Sequence, residues 1–484
     1  MATNLRSAGA QPVTDTALER RALAWMNDPY DAVGYSNTQM HSVPREEAEA
    51  IQLAGINLRL EQRRAEIPVL AKLADAQEIS RVSRLEQAAP LFFTHDIYKS
   101  YPVSLLAKSR FDQLSKWLDR LTPYDLSGLS VGDCRSIDDW LERLREQTPL
   151  DVATSSGTSG TLSFFPKTKR DYRNSVTGLR VQLTQRFGET GSPTDFDEPI
   201  HVLTPFYRDG YSNTARLPVY FLDIFCKGDA TLLHTALPFK ASADLTWLAA
   251  RLRAAQAKGD GSRIEVPETL LARRAEWERI VADTPALQAA FIRELVPKLR
   301  GQRVFALGLT NLFYEIARSG LQEGRRAEFA PNSVAMVGGG GKGIVLPEDT
   351  DQIIRAFFGV ELRGGYGMTE QNFYLVTCEH ERLHIPPWVT TLLLDPDSGQ
   401  PLPREGMQTG RASFFDLSQD GTWGGIVSGD RITVGYTPCP CGRTTLYMDK
   451  KIQRFSEITG DDDKLTCAAT PAAQAEALDL LTSL

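Results

Sequence analysis

Between Thr154 and Lys167 the chain reads Thr-Ser-Ser-Gly-Thr-Ser-Gly-Thr-Leu-Ser-Phe-Phe-Pro-Lys. Hydroxyls, glycines and a closing lysine at this density describe a phosphate cradle. Gly157 and Gly160 let backbone N–H groups come close to an anion, the hydroxyls of Ser155, Ser156, Thr158, Ser159 and Thr161 add donors, and Lys167 adds a mobile positive charge. An ordinary polar loop, with Lys167 solvated, has the same composition; the order of the residues and the closing Pro166-Lys167 favour the phosphate reading. A Walker loop needs Gly-Lys-Ser/Thr opening a helix. Here no lysine follows Gly160 and Phe164-Phe165-Pro166 interrupts a helix start, which disfavours a P-loop NTPase.

A second constellation is Arg363-Gly364-Gly365-Tyr366-Gly367-Met368-Thr369-Glu370, after the apolar strand expected at Phe357-Phe358-Gly359-Val360. A glycine-flanked tyrosine can lie against a base, the Thr369 hydroxyl can reach a phosphate, and the Glu370 carboxylate can hold Mg²⁺. The plain alternative is a tight turn ending in a surface acid. Ser333 to Gly341 puts a strand directly before consecutive glycines, among them Gly338 and Gly339, and Ser428-Gly429-Asp430 offers a carboxylate able to accept from two hydroxyls.

The elements that must position these residues change along the chain. Thr16 to Asn27, Pro44 to Glu66, Val69 to Leu85, Phe111 to Leu118 and Ile137 to Leu144 carry helical spacing of apolar residues. Pro149 to Ala153 then leads as a strand into the cradle. The apolar runs Ile200–Leu203, Val304–Leu307 and Ser333–Val337, separated by helical stretches at Pro267–Ile280 and Pro285–Leu299, predict an α/β architecture with a mostly parallel sheet. After about Arg382, short strands with turns such as Asp395-Pro396-Asp397-Ser398-Gly399 predict a β-rich subdomain. The expected organisation is a mainly helical part over 1–150, an α/β core over 151–380, the β-rich subdomain over 381–458, and a short tail over 459–484.

Composition sets outer bounds. At 484 residues and 42% hydrophobic content the chain is globular, with room for about three domains. Fifty-four basic against 61 acidic residues give a net charge of −7 without a basic block, so nucleic acid is not an expected partner. No signal-like amino terminus and no eighteen-residue apolar stretch stand in the sequence, so a cytoplasmic location away from membranes is expected. Six cysteines in this length do not make a disulfide framework. Cys226, after Phe225, reads as core, and Cys134, between Asp133 and Arg135, as a surface thiol.

Taken in order, the loop ending at Lys167, Tyr366-Gly367-Met368-Thr369-Glu370 and Ser428-Gly429-Asp430 resemble the phosphate loop, the Tyr-Gly-x-Thr-Glu signature and the Thr-Gly-Asp motif of the acyl-adenylate-forming superfamily. Cys439-Pro440-Cys441-Gly442-Arg443-Thr444 and Ile458-Thr459-Gly460-Asp461-Asp462-Asp463 are most similar to segments of its phenylacetate-CoA ligase and acyl-protein synthetase (LuxE-like) branch; before Thr154 the resemblance is much weaker. The resemblance implies a large α/β adenylate-forming domain that uses ATP and Mg²⁺. Ser155 to Gly160 would surround the triphosphate. Gly338, Gly339, Gly364, Gly365, Tyr366 and Gly367 would lie at the adenine, and Asp430 would accept from the ribose hydroxyls.

The implied reaction is attack of a substrate carboxylate on the α-phosphorus of ATP, with Thr158, Thr161, Lys167, Thr369 and Glu370 carrying the phosphates and the metal. The acyl group would pass to CoA, a carrier protein or a partner enzyme, or to Cys467. Phe206 and Tyr207 stand where the family presents aromatics to the acid, and are equally suited to the core. Nitrite activation for diazotisation, and a degenerate nucleotide-binding partner subunit, are the competing functions. In the same branch, Cys378, His384, Cys439 and Cys441 correspond to a Cys₃His set suited to a closed structural Zn²⁺, with His380 the rival imidazole. Two departures stand out: the family's mobile carboxy-terminal domain is missing or vestigial after Asp463, and Asp461 replaces a ribose-contacting arginine, leaving Arg443, Lys450 or Lys451 to supply the cation.

Overall fold

A computed structural model describes residues 17–155, 161–189, 197–257, 268–338, 346–455 and 458. Contacts divide them into two discontinuous units: 17–155, 163–189, 367–455 and 458 form the first, and 161–162, 197–257, 268–338 and 346–366 the second. This grouping cuts across the linear spans 1–150, 151–380 and 381–458.

The second unit holds the parallel sheet. Its strands run in the order Leu233–Ala241, His201–Gly210, Val304–Leu309, Val334–Gly338 and Glu361–Gly367. A parallel sheet needs both faces covered, and helices Asn213–Ile224, Thr310–Gln322 and Thr350–Phe358 fill the connections. Phe313, Phe357 and Phe358 pack with Ala306, Ala335 and Leu362 into its core, where Tyr207 also packs at the edge.

The expected strand at Phe357–Val360 is a correction. Phe357 and Phe358 end a helix, Gly359 caps it at φ 68°, and the strand begins only at Glu361. A four-residue apolar run does not distinguish a strand from the buried end of a helix, whereas a following glycine in the left-handed region is a helix stop. The Arg363–Gly367 half of the motif is therefore strand.

The first unit joins the early helices to an antiparallel sheet. Strands Arg382–His384, Tyr447–Asp449, Gly425–Gly435, Met407–Asp416 and Val389–Leu394 follow one another across it, and Gln453–Arg454 pairs with Gly425–Gly435 as well. Helix Arg45–Glu66 is bound to the sheet by long polar side chains: Gln52 Nε2 donates to the Pro387 carbonyl at 2.8 Å, Arg59 Nη2 to that of Leu417 at 2.7 Å, and Arg63 Nη2 to that of Asp420 at 3.1 Å. The helix expected over Val69–Leu85 is shorter, Pro68–Ala76, and Leu85–Leu91 is a separate 3₁₀ turn. Cys226 is core as expected, but Cys134 is only 4% exposed and not a surface thiol.

Helix Lys169–Thr184 passes so close to Tyr30 that a Cβ on Gly178 would overlap the tyrosine hydroxyl, and Tyr30 is itself wedged edge-on against Trp388 at 4.9 Å. Gly178→Ala gains about 1 kcal/mol of helix propensity and incurs overpacking of ~1–3 kcal/mol. A net loss of stability is expected in urea unfolding, with partial recovery when Tyr30→Phe removes the hydroxyl; an unchanged midpoint in the single variant contradicts this packing.

Candidate active site

The side chains that hold Glu370 all come from the first unit. Thr168 caps helix Lys169–Thr184 by accepting from the Asp171 N–H, and the Asp171 carboxylate accepts in return from the Thr168 N–H at 2.8 Å. Such a reciprocal cap is common on surfaces. This one is fully buried and takes further donors: Oδ1 accepts from Asn372 Nδ2 at 2.6 Å and the Asp420 N–H at 2.8 Å, and Oδ2 accepts from the Gly421 N–H at 3.1 Å. Gly421 is required for that approach, since a Cβ there would overlap the Pro166 carbonyl.

Lys167 resolves its two sequence readings into a third. The residue is 2% exposed, so it is not a solvated loop lysine, and Nζ donates to the Gln371 carbonyl at 2.6 Å while lying 5.3 Å from the centre of the Tyr172 ring. Gln419 Nε2 donates to the Glu370 carbonyl at 2.8 Å, and the Asn372 N–H donates to Asp416 at 3.2 Å. The backbone of Glu370, Gln371 and Asn372 is thus gripped by a helix start and by the turn after strand Met407–Asp416. Lys167 is tied to the residue that follows Glu370.

Electrostatics follow from this burial. Desolvation lowers the Lys167 ammonium to about 8 even though Asp171, Asp416 and Glu370 oppose the shift. Burial lifts the Asp416 carboxyl to about 6 against the hydrogen bonds from Ser418 and Asn372. Burial also raises Glu370, with a smaller contribution from Asp430, while Arg454 and Lys167 pull it down. A partly desolvated carboxylate of this kind is suited to a divalent cation.

Asp430 stands on strand Gly425–Gly435, paired in register with Arg454, whose Nε lies 3.9 Å from Oδ1. Sequence reasoning missed Arg454; its signal was only a basic residue late in the β-rich region. Arg443 is among the cations expected at the nucleotide. Its Nη1 lies 3.1 Å from Glu379 Oε2 and its guanidinium 4.4 Å from the Phe187 ring centre, beside the Cys/His cluster. Lys450 pairs with Glu381.

Of the cradle, Ser155 closes the base: its N–H donates to the Ser163 carbonyl at 3.1 Å and its hydroxyl accepts from the Ser163 N–H at 2.9 Å. Ser156, Gly157, Thr158, Ser159 and Gly160 lie outside the described residues, as do Gly339, Asp461 to Asp463 and Cys467. Thr161 and Thr369 are half-buried. In the second unit Gly364, Gly365 and the buried Tyr366 lie on strand Glu361–Gly367, and Gly338 ends the neighbouring strand, where a Cβ would sit 3.4 Å from the Gly365 carbonyl oxygen.

The sulfur-bearing residues come together. Ligand atoms of Cys378, His384, Cys439 and Cys441 all lie within 4.8 Å of one another, with His384 Nε2 3.2 Å from Cys441 Sγ. A tight turn brings Cys378 round: its N–H donates to the Arg382 carbonyl at 2.8 Å, and strand Arg382–His384 then pairs with Tyr447–Asp449. His380 does not join the cluster as an imidazole; its backbone N–H donates to Cys378 Sγ at 3.4 Å. Burial holds His384 neutral by lowering it to about 3, and pushes the Cys439 thiol up to about 12. A neutral imidazole, three thiols and an N–H aimed at sulfur fit a tetrahedral Cys₃His centre for Zn²⁺.

No family model matches the sequence, and no curated protein matches it. Among solved structures, 2-hydroxyisobutyryl-CoA ligase in an open conformation with 2-HIB-AMP and CoA is similar at a TM-score of 0.50 and 12% identity, over 86% of this chain and 71% of that one. The amide bond synthetase McbA from Marinactinospora thermotolerans is similar at 0.34 and 14% identity, over 93% and 77%. ATP-bound MatB from Rhodopseudomonas palustris is similar at 0.32 and 16% identity, over 62% and 47%. The chain has the α/β fold of the first of these ligases. Among the described residues no helix is long and apolar enough to cross a membrane.

Asp171→Ala strands donors from Asn372, Asp420 and Gly421 in a dry interior, each costing ~1–3 kcal/mol. A loss of at least about 3 kcal/mol in urea unfolding is expected; a loss below 1 kcal/mol contradicts the central role of this carboxylate.

Proposed function

We propose that this chain activates a carboxylic acid with ATP, forming an acyl-adenylate and releasing pyrophosphate. The observation that carries the reading is Glu370, whose backbone is held by Gln419 and whose next two residues are held by Lys167 and the Asp171 network, with its carboxyl in electrostatic range of Asp430, in a chain with the fold of a CoA ligase. A carboxylate oxygen of the substrate attacks the α-phosphorus while the bond to the pyrophosphate oxygen breaks. Little covalent work falls to the protein; positioning and charge neutralisation carry the rate.

In this scheme Glu370 holds Mg²⁺, Asp430 accepts from the ribose hydroxyls, and Thr158, Thr161 and Thr369 reach the phosphates. Bound Mg²⁺ would supply neutralisation of the phosphate charge. The acyl group then goes to a thiol or amine: CoA, a carrier protein or a partner enzyme. The Cys378, His384, Cys439 and Cys441 centre leaves no open position for chemistry once Zn²⁺ is bound, so its role is to staple the β-rich part.

Pyrophosphate release measured with Mg·ATP across a panel of carboxylic acids tests the reading. Release with at least one carboxylic acid is expected, and Glu370→Gln lowers kcat by about 10²-fold or more; ATP binding without release from any of them, or release with nitrite alone, sinks it. Protonated Glu370 cannot hold the metal, and its raised pKa moves the acid limb of the rate profile above the usual carboxylate range. That limb is expected to flatten in Glu370→Gln.

Metal analysis of the purified chain is expected to find equimolar zinc, lost in Cys439→Ser. A content near zero in the parent protein rejects the staple.

A further inference from the structure

The imidazole that faces the three sulfurs is backed by residues from the other end of the chain. His384 Nε2 points at Cys441 Sγ, and its Nδ1 lies 3.4 Å from Thr445 Oγ1. A neutral imidazole that ligates through Nε2 keeps its lone pair toward the sulfurs there and carries the ring proton on Nδ1, facing the Thr445 hydroxyl. The Thr445 hydroxyl in turn lies 2.8 Å from Nδ1 of His41, the last residue of helix Asn37–His41. Both rings are buried at 1% exposure, 5.5 Å apart and edge-on.

The Thr445 hydroxyl has one proton for two imidazole neighbours. With His384 Nδ1–H donating to it, that proton goes to His41 Nδ1, which leaves the His41 proton on Nε2. A protonated His41 would put donors on both sides of the hydroxyl and leave the hydroxyl proton without an acceptor. The backbone reinforces this placement, because the His41 carbonyl accepts from the Thr444 N–H at 2.9 Å and from the Thr444 hydroxyl at 3.1 Å.

We propose that His41 and Thr445 are positioning residues of the metal centre: His41 sets the direction of the Thr445 hydroxyl, and that hydroxyl fixes the tautomer and ring plane with which His384 ligates. The inference rests on the Cys₃His reading of the cluster. It makes the helix Asn37–His41, more than three hundred residues from the cysteines in sequence, part of the metal site. Partners of this kind typically contribute 10–100-fold to metal affinity.

Zinc dissociation constants from competition with a chromogenic chelator test this, together with nitrogen-15 NMR of the histidine tautomers in the zinc-loaded protein. His41→Leu and Thr445→Val are each expected to weaken zinc binding by about tenfold or more, while His41→Asn and Thr445→Ser, which keep the acceptor and the hydroxyl, stay close to the parent. The double variant His41→Leu/Thr445→Val is expected to lose little beyond either single, because the two act as one chain. His41 is expected as the Nε2–H tautomer in the parent protein, a signature that a packing role would not produce.

Parent protein that binds zinc while His41→Leu and Thr445→Val both bind within twofold of it overturns this inference alone, as does a His41 proton on Nδ1. Parent protein that takes up no zinc overturns the metal reading and this inference together. Thr445→Val keeps side-chain shape and so reports even where His41→Leu does not fold.

Discussion

The buried Asp171 carboxylate is the acceptor around which the first unit closes. Its two oxygens take donors from the helix cap at Thr168, from the Asn372 amide and from the backbone of Asp420 and Gly421. Those donors belong to three stretches far apart in sequence, each of which would otherwise leave polar groups dry. With donors at both oxygens, the lone pairs that water would have served are used inside the protein. The same arrangement makes the Glu370 backbone rigid before any ligand arrives, which is what a site needs if binding energy is not to be spent on ordering it.

Around that network the neighbouring charges are not all comfortable. Asp416 is driven up to about 6 and Lys167 down to about 8, both by desolvation, so each would more easily be neutral than its exposed counterpart. At neutral pH a raised Asp416 costs stability relative to an exposed aspartate. That contribution is recovered as pH falls through about 6, the opposite of an ion-paired aspartate. Tension of this sort beside Glu370 is common where charge is placed for a ligand and not for the fold.

Local periodicity carried much of the fold. Helices Arg45–Glu66, Phe111–Leu118 and Ile137–Gln147, and strands beginning near His201, Val304 and Val334, lie where apolar spacing put them. What spacing does not carry is pairing between distant residues. Nothing near Lys167 announces that its ammonium will be capped by the Gln371 carbonyl, and nothing near Phe357 distinguishes a helix end from a strand until Gly359 adopts a positive φ. The cluster of Cys378, His384, Cys439 and Cys441 was expected because its segments resemble those of a branch that carries such a set. His41 was invisible because a lone histidine on a short helix has no such signal.

Arginine placement shows the same limit in its sharpest form. Every arginine is a permanent cation with the same fork of donors, so sequence position alone cannot say which anion it will meet. Arg443 lies within a motif that resembles a nucleotide-binding family, yet it is folded against Phe187 and Glu379 beside the sulfur cluster. Three thiolates around Zn²⁺ carry one excess negative charge, and a buried guanidinium is a natural counter to it. Asp430 instead meets Arg454, because strand register places the two side by side across Gly425–Gly435 and Gln453–Arg454. Register and burial, set by the whole sheet, decide which charge lies beside Asp430 and which lies beside the Cys/His cluster.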